Sequence, residues 1–188
     1  MRYAFCLAIL LICVVIAQLA IVPSFLPPVM RPDLGILTAM AILAMGQRQF
    51  GLVAVFAMGL QADLFGSPKF GMLTLAYLLA AGTILLVAWR ELSRGDLLAA
   101  WLGGIAGTVL AHFYYVLIGR LCGYTFSWGQ VVAVITGYAI AASILGIPCA
   151  MVTGRWLYWT RTLAPDVRER WVNEARLSAA RKGRLHRA

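Results

Sequence analysis

Few side chains in this chain have the chemistry to act on anything, and they lie far apart. Asp63 is the one acid well inside an apolar run, with Phe50 to Leu60 before it and Phe70 to Val87 after it. An ionised carboxylate in hydrocarbon is costly unless it is paired, reaches water or is protonated. Gly59 stands four residues earlier, on the same helix face. A small residue there lets another helix come close enough to bond the acid. Gly66, Pro68 and Gly71 then end the helix and turn the chain. Two roles stay open for Asp63: an interfacial acid touching water, or an acid that fixes helix packing or docks a partner. Lys69, Arg120 and Arg31 are the cations expected on its side of the membrane.

His112 lies beside Phe113, Tyr114 and Tyr115. A buried histidine serves as a hydrogen-bonded core residue, a proton relay or a ligand. No second histidine or acid stands at helical spacing, which favours the core role. Cys6, Cys13, Cys122 and Cys149 form no Cys-x-x-Cys pair. They read as small apolar packing residues, without a disulfide framework or a zinc signature. The sequence shows no nucleophile–base pair, phosphate loop or metal cluster. The expectation is a protein that is not an enzyme and takes no cofactor and no metal.

The elements that carry these residues are membrane helices. Of 188 residues, 62% are hydrophobic and 12% charged, against about 45–50% and 25% in soluble domains. So few charges cannot cover a soluble fold of this size. The net charge of +9 is concentrated: nine of the basic residues lie from Arg155 onward. Cations that flank apolar spans orient a membrane protein, so nucleic acid is not an expected partner.

In chain order the first apolar run, Tyr3 to Val22, is long enough to span and too long for a signal-peptide core, so it reads as an uncleaved helix. Pro23 to Pro28 breaks it. Arg31-Pro32-Asp33 opens a second segment, Leu34 to Met45, which is short for a span. The third runs from Phe50 to Phe65, the fourth from Phe70 to Trp89, the fifth from Leu97 to Gly119, and the sixth from Gln130 to about Thr153, loosened by Gly146 and Pro148. The expected fold is all-α: a polytopic membrane bundle of about six transmembrane helices, with cytoplasmic N- and C-termini. On that topology thirteen cations fall inside and three outside. Residues 1–160 form the multispan domain. Residues 161–188 form a basic cytoplasmic tail. Val167, Trp171, Ala175 and Ala179 share one face of a helix there, fit to lie on anionic lipid. A solvated basic tail is the plainer alternative.

Two seams of small residues run along the last two spans. Ala100, Gly104 and Thr108, with Gly103 and Gly107, line one; Ala139, Ser143 and Gly146, with Ala142, line the other. Such seams bring helix backbones together in lipid, within the molecule or against a partner's helix.

The run Arg31-Pro32-Asp33-Leu34, the glycine-rich helix from Gly51 to Asp63, the element Gly59-Leu60-x-x-Asp63-Leu64-Phe65, and Phe70-Gly71 with the span to Leu79 resemble MreD, the rod-shape-determining membrane protein of bacteria. The resemblance is best over residues 31–80. Pro32, Gly59, Asp63, Leu64 and Gly71 match the family pattern. It implies a non-catalytic inner-membrane scaffold of the cell-elongation machinery. Its implied partners are an MreC-like single-pass protein, a RodA-type glycosyltransferase and a penicillin-binding transpeptidase. The implied role is to organise peptidoglycan synthesis and cell shape. The tail from Pro165 is longer and more basic than the family's. The family's fold has been likened to the substrate-binding subunits of vitamin transporters. The rival expectation is therefore a small-molecule-binding transport subunit, with a pocket lined by His112, Tyr114 and Tyr115.

Overall fold

The computed structural model describes residues 2–25, 33–45, 48–66, 69–87, 96–160 and 169. Pro32, Pro68 and the amphipathic face of the tail lie outside the described residues. Among these residues all the regular elements are helical. Helix α1 (Arg2–Ile16) passes through a π-helical stretch (Ala17–Ile21) into α2 (Val22–Phe25). Then come α3 (Leu34–Met45), α4 (Arg48–Gly66), α5 (Met72–Val87), α6 (Leu97–Leu121) and α7 (Trp128–Thr160).

Two ends differ from the sequence expectation. The first helix continues past Pro23 to Phe25. The Val22 N–H reaches back five residues to the Ala17 carbonyl, so the register shifts just before the proline, which stands in the first turn of α2, where its missing N–H is tolerated. The last helix runs on past Thr153 to Thr160, with Pro148 inside it. Apolar helices accept an internal proline when neighbouring groups satisfy the freed backbone.

Three stretches are long and apolar enough to cross a membrane: Ala4–Ser24 with mean hydropathy 3.1, α6 with 1.5 and α7 with 2.0. Helices α3 and α5 are apolar but shorter. Length alone misleads for α3. Every residue from Gly35 to Met45 is buried, and α1, α4, α6 and α7 surround it. A helix that is apolar on all sides belongs in a core. At 12 residues it reaches about 18 Å, and protein rather than lipid encloses it. Helix α5 packs on α4 and α6.

Many large apolar side chains also face outward. Leu86, Ile144, Val152 and Trp159 are each more than two-thirds exposed or close to it. A surface so continuously apolar suits lipid, not water. Cys13 is exposed on this surface, so the expected packing role does not apply to it.

Both seams of small residues are used inside the molecule. A methyl group added at Gly107 would lie 2.8 Å from Met40 Cγ, and one at Gly104 would lie 3.0 Å from Leu37 Cδ2. Gly103 is buried beside them. The α6 seam therefore receives α3. On α7, a methyl at Gly146 would lie 2.7 Å from the Trp101 ring, and Trp101 Nε1 donates to the Ser143 carbonyl at 2.9 Å.

Candidate functional site

The α4–α5 corner is built on Asp63. Its side chain is 5% exposed. Oδ1 accepts from the Leu73 N–H at 2.8 Å, and Oδ2 accepts from the Thr74 N–H at 2.9 Å and the Thr74 hydroxyl at 2.5 Å. These N–H groups belong to the first turn of α5, which has no intrahelical acceptors. The residue just before α5 is Gly71, whose carbonyl accepts from the Leu75 N–H at 3.0 Å. With φ at +95°, Gly71 occupies a backbone region that strains other residues. It has no side chain to cap the helix, and Asp63 does so from the preceding helix. The negative end of α4 opposes a carboxylate there, but the positive end of α5 faces it directly.

Gly59 makes the approach possible. A methyl group there would lie 2.7 Å from Thr74 Cα. The spacing of Gly59 and Asp63 puts both on the α5 side of α4, so the close contact and the cap meet at one residue, Thr74. Two of the cations named as possible partners lie over aromatic rings. Lys69 Nζ lies 5.2 Å from the Tyr124 ring centre, and the Arg120 guanidinium lies 4.2 Å from that of Trp128. Arg31 falls outside the described residues. Around the corner Leu64, Phe65 and Phe70 are each more than 60% exposed. The site is a rigid acid-capped corner with apolar side chains on its outside.

A second feature is a cavity of about 540 Å³ at the same end of the bundle, with a mainly apolar wall that includes several polar side chains. It collects side chains from α1's π-helical stretch (Gln18), the start of α3 (Asp33), α4 (Gln61), α6 (His112, Tyr115) and α7 (Gln130, Tyr138). Gln18 Oε1 accepts from the Leu34 N–H at 2.8 Å, and Asp33 Oδ1 accepts from the Ile36 N–H at 3.2 Å. These two side chains cap α3 as Asp63 caps α5. The π-helical turn matters here, because such single turns redirect side chains at a helix surface. His112 Nδ1 is 2.8 Å from the Thr108 carbonyl, and its ring centre is 4.1 Å from that of Tyr138.

Of the three residues expected in a pocket, His112 and Tyr115 line this cavity. Tyr114 does not; its hydroxyl meets that of Thr83 on α5 at 2.7 Å. The sequence reading missed Asp33 as the acid that shares a cavity with His112. It also missed Gln18, Gln61, Gln130 and Tyr138. The available signal was polarity alone: each glutamine is an uncharged polar residue at or inside an apolar run.

Among the described residues no three His, Cys, Asp or Glu side chains gather to hold a metal ion. The Thr38 hydroxyl meets Cys149 Sγ at 3.2 Å, in a contact between α3 and α7. What the arrangement offers is shape: a capped corner and a cavity that holds some hydrogen-bonding groups among apolar ones. No protein-family model, curated protein or solved structure matches the chain.

Proposed function

We propose that this chain is a non-catalytic scaffold of the bacterial inner membrane, acting as MreD-like proteins do in the cell-elongation machinery. It would hold an MreC-like single-pass partner and work beside a RodA-type glycosyltransferase and a penicillin-binding transpeptidase. The observation that carries the reading is the α4–α5 corner. Gly59, Asp63 and Gly71, three of the residues that carry the resemblance, meet there as close contact, cap and left-handed turn. Leu64, a fourth, is 65% exposed on the same corner. A motif devoted to holding a shape and presenting an apolar surface suits a scaffold. The partner would dock at this corner, since the glycine seams are already filled from within.

We place the chain across the membrane six times, with both ends in the cytoplasm. Trp156 Nε1, near the end of α7, donates to the Cys6 carbonyl at 3.2 Å, so the bundle begins and finishes at one end. The cavity lies at the other end, where successive helices stop and start. Both facts suit an even number of passes, and the cation asymmetry sets the orientation. The basic tail would lie on anionic lipid of the cytoplasmic leaflet.

A transport subunit is the second reading, favoured by the cavity. Co-purification from the native membrane separates the two. Recovery of an MreC-like protein with the wild-type chain supports the scaffold. Recovery of an ATPase-driven transport module without such a partner overturns it.

A further inference from the structure

Among the described residues, the exposed charges at the Asp63 end of the bundle have one sign. The acids there are turned inward: half-buried Asp33 caps α3, and buried Asp63 caps α5. Lys69 and Arg120 are exposed. Both cations come to one short segment, the turn between α6 and α7. Lys69 Nζ lies over the Tyr124 ring, and the Arg120 guanidinium over that of Trp128. Arg120 Nη2 also donates to the Phe126 carbonyl at 3.4 Å, and the Phe126 ring centre is 6.3 Å from that of Tyr124.

The turn that carries these rings is fixed at several points. The Phe126 ring sits on Gly119, where a methyl group would lie 2.6 Å from its Cε2. The Tyr124 N–H donates to the Gly119 carbonyl and the Gly123 N–H to that of Arg120, each at 3.0 Å. Gly123, with φ at +87°, closes α6 in the left-handed conformation that glycine tolerates. Each cation is followed by an exposed apolar residue, Phe70 and Leu121, and Trp128 is exposed at the start of α7. The patch thus joins fixed positive charge to apolar side chains at the end of a membrane-spanning helix, the depth at which headgroups meet acyl chains. A guanidinium matches the oxygens of a phosphate, and the positive end of α7 adds to the attraction. A soluble anion would satisfy the charge and leave Leu121 and Trp128 in water; an anionic phospholipid satisfies both.

We infer that Lys69 and Arg120, held on the α6–α7 turn, bind the phosphate headgroup of an anionic phospholipid whose acyl chains lie along Leu121 and Trp128. The inference holds in whichever leaflet this end lies, and whether the chain is a scaffold or part of a transporter.

A fluorophore on Cys122, which is exposed on the same turn, reads the lipid beside the patch and not that beside the basic tail. The full chain, in a Cys13→Ser background, is placed in phosphatidylcholine nanodiscs. Small amounts of phosphatidylglycerol or phosphatidylcholine with a nitroxide on the acyl chain near the headgroup then serve as quenchers. The expected result is stronger quenching by phosphatidylglycerol. Lys69→Gln with Arg120→Gln should lower that preference about tenfold or more. Arg181→Gln with Lys182→Gln, which removes two cations from the tail, should leave it unchanged. Equal quenching by the two lipids around the wild-type turn overturns the inference without any variant. So does an unchanged preference in the folded Lys69 and Arg120 variant. Loss of preference in the tail variant would assign it to overall charge, and its abolition by excess glycerol 3-phosphate would mark a site for free phosphate; either result overturns the inference.

Discussion

Asp63 and Thr74 are joined twice, by the Thr74 N–H and by its hydroxyl, both to Oδ2 of the carboxylate. Eleven positions of sequence separate them, and the whole α4–α5 turn closes over this contact. Removing the carboxylate in Asp63→Ala leaves two N–H groups of α5 without an acceptor in a buried place. The expected loss is about 2–4 kcal/mol, combining a lost cap with unsatisfied buried donors. Asp63→Asn keeps an acceptor oxygen and should lose about 1 kcal/mol. Equilibrium unfolding in bicelles measures both; equal stability of Asp63→Ala and wild type would show that the cap holds nothing.

The Gly59 contact gives a sharper comparison, because another glycine serves as its control. A methyl at Gly59 meets backbone at Thr74, while nothing lies within 4 Å of one at Gly82. Gly59→Ala must push α4 from α5 and loosen the Asp63 cap, at a cost of about 1–3 kcal/mol. Gly82→Ala, inside α5, should be neutral or stabilise by about 0.5–1 kcal/mol. The two substitutions add the same atom, so an equal effect on unfolding would refute the packing account.

Tyr77 is 1% exposed, and its hydroxyl has no hydrogen-bond partner. A buried polar group left unmade costs about 1–3 kcal/mol. Tyr77→Phe removes the hydroxyl and keeps the ring. It should hold stability or raise it by up to about 1 kcal/mol, read as a higher melting temperature. A clear drop would mean that the hydroxyl has a partner in the membrane.

Topology is open to a direct chemical test with a thiol the chain already has. Cys122 caps α6 at the cavity end and is exposed. Gln49 is exposed at the start of α4, at the opposite end. In intact cells an impermeant maleimide should label Cys122 and spare Gln49→Cys in a Cys122→Ser background. Labelling of Gln49→Cys before permeabilisation would break the six-pass arrangement.

The scaffold proposal needs a variant that spares the fold, and Asp63 is the wrong choice because it holds α5 in place. Leu64 and Phe70 are 65% and 68% exposed beside it. Leu64→Ala with Phe70→Ala should leave unfolding within about 1 kcal/mol of wild type, as expected away from buried features. The same pair should cut recovery of an MreC-like partner several-fold. Undiminished recovery would move the docking surface away from this corner.

Some of this was legible in residue order and some was not. The apolar runs and their breakers carried the helices: α3 and the start of α6 fall where the second and fifth segments were read. Gly59 and Asp63 pointed to a helix drawn close to an acid, because spacing of four is a local signal. The cavity was not readable in the same way. Gln18, Asp33, Gln61, His112 and Gln130 come from separate helices, and only tertiary packing brings them together. The end of α7 lies past the expected Thr153 because Arg155 does not interrupt the helical backbone, which runs on to Thr160. The seams were ambiguous for another reason: small residues mark a close contact without naming the surface that fills it, and here α3 and Trp101 do.

The enclosure of α3 has a consequence for how the chain is made. It is the second apolar helix to leave the ribosome, and at 12 residues it is too short to sit across a bilayer of about 30 Å unaided. Two of the helices that surround it, α6 and α7, are synthesised last. Until they arrive, α3 has its capped start and its contacts with α1 and α4, and its far flanks face the insertion machinery or lipid. The centre of the molecule is therefore settled at the end of synthesis, and a chain truncated before Trp128 exposes the helix that the finished protein hides best.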